Sequence, residues 1–223
     1  LEASTSTLTV TLNTGYYDDF TFDFGWTISG DAETGEWVRG IPNATTNTVM
    51  GNDSFQDCGD MAYVTGNSDN MDSDFDDVDN GVTILTSPVM DLSSYDNPGI
   101  LWDYSFFCNH GPENIDDTLK FILSNGFEQD IIFQVLPPQT ESMSFESIGI
   151  NLSEVTNIHI TNSMTFSVSV SDLEPNINIT EAAFDFFRVE DGLGFNDFSL
   201  DCFAVYPNPT IGTILIEGAE VDS

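Results

Sequence analysis

The chain has 223 residues and a formal charge of −35, from 38 acidic residues against three lysines and arginines. This balance excludes nucleic acid as a partner, because nucleic-acid binding depends on basic residues that neutralise phosphates. It also disfavours anionic membrane surfaces and is compatible with divalent cations. No apolar run reaches about 18 residues, so we predict no transmembrane helix and no direct membrane insertion.

The N-terminal half alternates short extended runs with polar loops. Alternation of apolar and polar residues predicts strands there, over residues 5–12, 16–29, 36–42, 61–65 and 82–87. In the second of these runs, Phe20, Phe22 and Phe24 are expected on one face, and Gly25 is expected to break or bulge the strand. The loop over residues 66–81 is the most acidic in the chain.

The C-terminal half continues in the same way. Strands are predicted over residues 100–107, 118–124, 130–136, 142–151, 157–161, 165–170 and 180–190. Trp102, Tyr104 and Phe106 are expected to share one face, and Asn125-Gly126 predicts a hairpin turn. With no segment of helical period, the fold class is all-β, an antiparallel β-sandwich.

The last predicted strand, residues 180–190, places one acid, Asp185, among apolar neighbours. An unpaired buried carboxylate is costly. We therefore expect Asp185 either to bind a metal or to accept several hydrogen bonds.

Three units are predicted: a sandwich domain over residues 1–190, a linker over 191–202, and a short C-terminal β extension over 203–223. The last unit ends before it could be complete. Because the chain starts at Leu1 rather than Met, we expect it to be a processed piece of a longer precursor.

Three blocks carry a family resemblance in their order and spacing. They cover residues 19–26 with 35–40, 58–66 with 77–93, and 181–189. Together they resemble MAM-like jelly-roll domains, such as those attached to secreted bacterial metallocarboxypeptidases. This resemblance implies a two-sheet jelly roll with a structural Ca²⁺ ion, to which Asp23 and Asp185 would contribute. Phe186 stands where that family often has a second acid.

Further acids are candidate ligands for a hard cation, which takes six to eight oxygens. Asp77-x-Asp79 supplies alternating acids in a turn-prone loop, and Asp57 and Asp60 are additional candidates. The alternative for the loop is an acidic, solvated segment with no cation.

The C-terminal residues resemble the start of the sorting domain of type IX secretion cargo in Bacteroidetes. The residues that carry this resemblance are Tyr206, Pro207, Asn208, Pro209 and Gly212. The resemblance implies the type IX secretion machinery as a partner, and a secreted or outer-membrane surface location in a Gram-negative bacterium.

Catalysis is not predicted. His110 and Glu113 have the His-x-x-Glu form of a zinc site, but the other histidine, His159, lies in a strand pattern far from the required spacing. No Gly-x-Ser-x-Gly motif is present. The three cysteines show no metal-ligand spacing. We expect either three reduced thiols or one disulfide, for which Cys58 with Cys108 is preferred over pairings with Cys202.

Jelly rolls often bind sugars on exposed aromatic rings, which makes glycan binding the remaining functional candidate. The aromatics expected at a loop or edge are Tyr16, Tyr17, Trp37, Tyr63 and Tyr95, and packing in the core is the alternative for each. The sequence therefore predicts a non-catalytic, calcium-stabilised module that binds a glycan or a surface protein. Two alternatives remain: an accessory domain of a secreted metallopeptidase, or secretion cargo with no ligand of its own.

Overall fold

A computed structural model describes residues 15–45, 51–57, 59–72, 74–109, 117–136, 144–173 and 179–192. Several predictions lie outside these ranges, namely the strand at 5–12, the zinc-like pair His110 and Glu113, Cys58, Cys202, and the C-terminal extension with its sorting motif. They stay predictions.

Nearly all of the regular structure in these ranges is β-strand. In chain order the elements are β1 (Tyr16–Asp18), β2 (Thr27–Gly30), β3 (Trp37–Gly40), β4 (Ala62–Thr65), β5 (Gly81–Thr86), β6 (Pro98–Asn109), β7 (Thr118–Ser124), β8 (Gln129–Val135), β9 (Glu146–Asn151), α1 (Leu152–Val155), β10 (Thr165–Asp172) and β11 (Ile179–Asp191). None of the helical structure described is long and apolar enough to cross a bilayer.

The strands form two antiparallel sheets, which confirms the predicted β-sandwich. The first sheet has the order β3-β4-β11-β6-β9, with β1 also paired to β11, and the second has the order β2-β5-β10-β7-β8. β6 follows one edge of β11 along most of its length, while β1 and β4 share the other edge. β11 is therefore the central strand of the first sheet.

Aromatic side chains fill the space between the sheets. Trp102 lies 4.8 Å from Phe121 and 5.3 Å from Phe166 between ring centroids, and Phe166 stacks on Phe184 at 5.9 Å. Burying each such ring stabilises the fold by about 1.5–3 kcal/mol. Trp102, Tyr104 and Phe106 all belong to this core, which confirms that they share a face.

The strand predicted over residues 16–29 is interrupted earlier than at Gly25, because the chain leaves β1 after Asp18, turns, and enters the other sheet at β2. Aspartate side chains hold this turn: Asp18 accepts from the N–H of Phe20 at 2.9 Å, and Asp23 accepts from that of Gly25 at 2.9 Å. Such local bonds compete with strand pairing. As a result, Phe20 is fully buried whereas Phe22 is 53% exposed, and they do not share a face.

The remaining elements follow the alternation closely. The hairpin of β7 and β8 is confirmed, and the Asn125 side chain accepts from two backbone N–H groups in its turn. The strand predicted at residues 157–161 is wrong, since that segment is irregular. It lies beside the segment after β5, and the N–H of Leu92 in that segment donates to the carbonyl of Thr161.

Candidate cation sites and ligand cleft

Three acids converge on the outer side of β11, and we call Asp53, Asp57 and Asp185 the Asp185 cluster. One ligand oxygen from each lies within 4.8 Å of the others. Asp185 is fully buried, and the other two are half-buried. Its carboxylate accepts from the N–H groups of Ser54 at 3.1 Å and Phe186 at 2.7 Å.

Asp185 follows the core residue Phe184 in β11, so strand alternation places it on the outer side, and a β-bulge comes directly after it. Between Asp185↔Asp103 and Arg188↔Leu101 the register shifts, so that Phe186 and Phe187 together face one residue of β6. Phe186 takes up the extra residue with a φ of 50°, which few non-glycine residues adopt. Phe184 and Phe187 consequently both belong to the core, while Asp185 faces the loop that carries Asp53 and Asp57.

A fourth acid borders the cluster. Asp103, on β6, is paired directly with Asp185 and is 2% exposed. Its carboxylate accepts a hydrogen bond from the hydroxyl of Ser54, whose N–H donates to Asp185. Two acids opposite each other on neighbouring strands repel when both are ionised, so the site favours a positive charge or a proton.

The cluster is electrostatically strained without such a charge. Burial, and next the contact with Asp53, raise the pKa of Asp185 well above its ordinary value. Burial and the charge of Asp53 raise the pKa of Asp57 to about 7. Among the described residues, Arg188 forms a salt bridge with Glu190 at 3.5 Å, and its charge opposes the rise in the pKa of Asp103.

The donor set fits a hard cation. Oδ2 of Asp53 and Oδ2 of Asp57 are buried and have no hydrogen-bond partner, and all of the candidate ligand atoms are carboxylate oxygens. Such oxygens are what Ca²⁺ binds in proteins. The cluster can therefore hold a divalent cation, with Ser54 orienting two of the acids that surround it.

The structure does not bring Asp23 to Asp185 as predicted. Asp23 is exposed, and its carboxylate holds the turn at Gly25 instead. Asp60 is also exposed and acts on Asp53 only through its charge. Asp53 was missed because nothing in the sequence shows which loop covers the outer side of β11.

Asp77 and Asp79 belong to a second group, together with Asp172 at the end of β10. One ligand oxygen from each again lies within 4.8 Å of the others. Asp172 comes two residues after the predicted strand at 165–170, and its position could have been found from the ends of the predicted strands.

A cleft of about 200 Å³ lies between β1 and the segment after β5. Two of the predicted ligand-binding aromatics, Tyr16 and Tyr17, line this cleft. Phe24, Trp26 and Val89 are also in its wall, and Val89 is 62% exposed. The cleft thus presents aromatic and aliphatic surface close to solvent.

One acid, Asp18, also lines the cleft. It is 5% exposed and accepts from Nε1 of Trp26 at 2.8 Å. Burial raises its pKa to about 7, although the bonds from Trp26 and Phe20 lower it.

The other predicted ligand-binding aromatics lie elsewhere. Trp37 and Tyr63 are only 1% and 4% exposed, so they are core residues and the prediction that they reach a ligand is wrong. Tyr63 packs edge-to-face on Phe20 at 5.0 Å. Tyr95 is half-buried beside the core, and burial raises its pKa to about 12.

Cys108 carries a free, buried thiol in this structure. Its Sγ donates to Asp117 Oδ2 at 2.9 Å. Burial and then the acid raise the pKa of this thiol. The disulfide with Cys58 stays a prediction, and this contact does not favour it.

No protein-family model and no curated protein sequence matches the chain. Several solved structures are similar in fold. The K1 cleaved adhesin domain of Lys-gingipain from Porphyromonas gingivalis W83 is 10% identical, with a TM-score of 0.48 over 81% of this chain and 99% of that one. The K3 domain of the same protein is 12% identical, with a TM-score of 0.44 over 79% and 98%.

A third similar structure is a family 11 carbohydrate-binding module from Clostridium thermocellum, in complex with a β-1,3-1,4-mixed-linked tetrasaccharide. It is 12% identical, with a TM-score of 0.43 over 80% of this chain and 96% of that one.

Proposed function

We propose that the protein is a non-catalytic, secreted or cell-surface β-sandwich module that binds a glycan through the cleft at β1 and is stabilised by Ca²⁺ at the Asp185 cluster. The observation that carries this proposal is that β1 serves both sites. Tyr17 lines the cleft, and its ring packs edge-to-face on Phe186, the residue after Asp185, at 5.7 Å.

The cleft suits one ring of a sugar. Its volume lies below the roughly 300–1,000 Å³ of most small-molecule sites, so it accepts a single unit of a larger ligand. Tyrosine rings offer apolar faces for the C–H surface of a sugar and hydroxyls for hydrogen bonds. The hydroxyl of Tyr16 already accepts from the N–H of Asp91 at 2.7 Å, which fixes the ring in place.

Calcium would act on the cleft through β1. Burial and then the charges of Asp19, Asp57 and Asp185 raise the pKa of Tyr17, so this side chain lies within the field of the cluster. A bound cation would neutralise that field and hold the loop of Asp53 and Asp57 against β11. β1 pairs with β11 right after the bulge, so its position depends on the same strand.

Binding to a panel of immobilised glycans tests the proposal, with the full chain in excess Ca²⁺ and again in excess chelator. We expect at least one glycan to bind in calcium, binding to weaken in chelator, and Tyr17→Ala to remove it. Phe127→Ala is the matched control, because Phe127 is 98% exposed at the tip of the β7–β8 hairpin and does not line the cleft.

Two results would contradict the proposal. Absence of binding to every glycan tested would remove the glycan as the ligand. Loss of binding in Phe127→Ala but not in Tyr17→Ala would move the binding surface away from the cleft.

We further propose export as type IX secretion cargo, supported by the sequence of residues 206–212. Substituting Pro207 and Pro209 with alanine in the native host should lower the amount of protein outside the cell. Equal amounts of the wild-type and the substituted protein outside the cell would contradict this route.

A further inference from the structure

A second group of acids, separate from the Asp185 cluster, lies at one end of the sandwich. We call Asp77, Asp79 and Asp172 the Asp77 cluster. Asp77 accepts a hydrogen bond from the N–H of Thr180, at the start of β11. Thr180 lies about five residues before Asp185 in the same strand, which separates the two by roughly 17 Å. The two clusters therefore cannot share one ion.

The strand pairing explains why these acids meet. The end of β10 is paired with the start of β5 through Asp172↔Gly81, and with the start of β7 through Ser171↔Thr118. In the first sheet, the start of β11 is paired with the end of β6. The segment before β5, which carries Asp77 and Asp79, lies across this end.

Two hydrogen bonds fasten that segment to the first sheet. The N–H of Thr180 donates to Asp77 Oδ2 at 3.1 Å, and the N–H of Val78 donates to the carbonyl of Thr180 at 2.9 Å. Thr34 donates to Asp79 Oδ2 at 3.0 Å and to the carbonyl of Asp77 at 2.8 Å. The acids are thus oriented by groups outside the cluster.

A buried oxygen without a partner points to a ligand. Asp77 is 1% exposed, and its second oxygen, Oδ1, is buried with no hydrogen-bond partner. Asp172 is 2% exposed, and its Oδ2 is likewise buried with no hydrogen-bond partner. Carboxylate oxygens buried without hydrogen bonds or counter-charge are unfavourable, and one cation among the three acids would satisfy both.

The surroundings select an oxygen-binding cation. Cys108 lies nearby, but it donates its S–H to Asp117, and a protonated thiol is not a metal ligand. Asp79 is only half-buried, which leaves a side open for water to complete the coordination. Ca²⁺ accepts such mixed and irregular oxygen sets, whereas Mg²⁺ demands near-ideal octahedral geometry.

We propose that Asp77, Asp79 and Asp172 form a second Ca²⁺ site, which ties the end of β10 in one sheet to the start of β11 in the other. This proposal depends on neither the glycan cleft nor the Asp185 cluster, so it can be wrong while the proposed function holds.

Calorimetric titration of the calcium-free full chain with Ca²⁺ tests the proposal. We expect two equivalents in the wild type and one equivalent in Asp172→Asn. Asp185→Asn should also retain one equivalent, and the double variant none. Asp74→Asn is the matched control, because Asp74 is exposed in the same acidic loop but is not a member of the cluster.

A wild-type count of one, unchanged by Asp172→Asn, would overturn the proposal. If Asp172→Asn does not fold, hydrogen exchange of the wild type decides. Ca²⁺ should slow exchange of the Val78 and Thr180 amides in an Asp185→Asn background. Unchanged exchange of both amides would overturn the proposal as well.

Discussion

The N–H of Phe186 donates to the carboxylate of Asp185, the residue before it, at 2.7 Å. Phe186 adopts a φ of 50° in the β-bulge, so that its side chain and that of Asp185 both point away from the core. The ring of Phe186 then packs under Arg188, whose guanidinium lies 4.3 Å from the ring centroid. A single irregular residue thus places an acid, an aromatic ring and a cation on the outer side of β11.

Removing the charge of Asp185 should reduce the stabilisation by calcium. Without it, Asp53 and Asp57 hold a cation less well, so chelator should lower the melting temperature of Asp185→Asn by less than that of the wild type, and the remaining response belongs to the Asp77 cluster. Thermal unfolding with and without chelator measures this. Asp23→Asn should behave as the wild type, since Asp23 is exposed and its asparagine substitute can still accept from Gly25. A chelator response as large in Asp185→Asn as in the wild type would show that no stabilising ion binds at the Asp185 cluster.

Phe186→Asp should tighten calcium binding. Aspartate tolerates a positive φ better than phenylalanine, and it would add a carboxylate next to Asp185. The same charge should make the calcium-free protein less stable, because another acid joins a crowded group. Calcium titration and unfolding in chelator measure the two effects. Phe186→Asn has nearly the same shape without the charge, so equal tightening in that variant would show that charge is not the cause.

Asp18 should make stability fall as pH rises. Its pKa is about 7 in the folded protein against 3.8 ordinarily, so the unfolded chain loses this proton first. Between about pH 4 and pH 7 the folded state binds more protons, and the free energy of unfolding therefore decreases with pH.

Denaturant unfolding at a series of pH values measures this effect. Asp18→Asn should show a flatter dependence than the wild type over about pH 4 to pH 7, although it is less stable overall because Trp26 and Phe20 both donate to Asp18. The charges of Asp19 and Arg39 also act on Asp18, and both residues are present in the wild type and in the variant. An unchanged slope would mean that Asp18 is already ionised at the lower pH.

Trp102→Ala should destabilise the sandwich by about 3–5 kcal/mol, the usual range for removing a large buried aromatic side chain. Trp102 is 1% exposed, and its Nε1 has no hydrogen-bond partner. Trp102→Phe should therefore cost less, since it keeps a ring and removes the unpaired N–H. Urea unfolding measures both, with Phe127→Ala expected within about 0.5 kcal/mol of the wild type. Equal losses in the alanine and phenylalanine variants would contradict the role of the ring.

Regular strands were predictable from the sequence, because alternation and turn residues act locally. β7 has the predicted bounds, and its hairpin with β8 follows from Asn125-Gly126. The turn after β1 was not predictable from alternation, since Asp18 and Asp23 bond backbone N–H groups in a run whose pattern is that of a strand.

The candidate sites depended on contacts that alternation does not encode. Asp185 was found because an acid in an apolar strand needs a partner. Its neighbours Asp53 and Asp57 lie in a loop whose path over β11 is set by the whole fold. Trp37 and Tyr63 were misplaced for the same reason, because a short strand shows its period but not which of its sides meets the second sheet.

β1 contributes only three residue pairs to β11, from Tyr16↔Val189 to Asp18↔Phe187. The edge of β11 beyond the bulge is thus covered by a very short segment, whose main-chain bonds any extended peptide can reproduce. Without β1, the main-chain groups of this edge would be open to pairing with a strand from another molecule. The three residues of β1, which also line the cleft, therefore protect the edge of the first sheet.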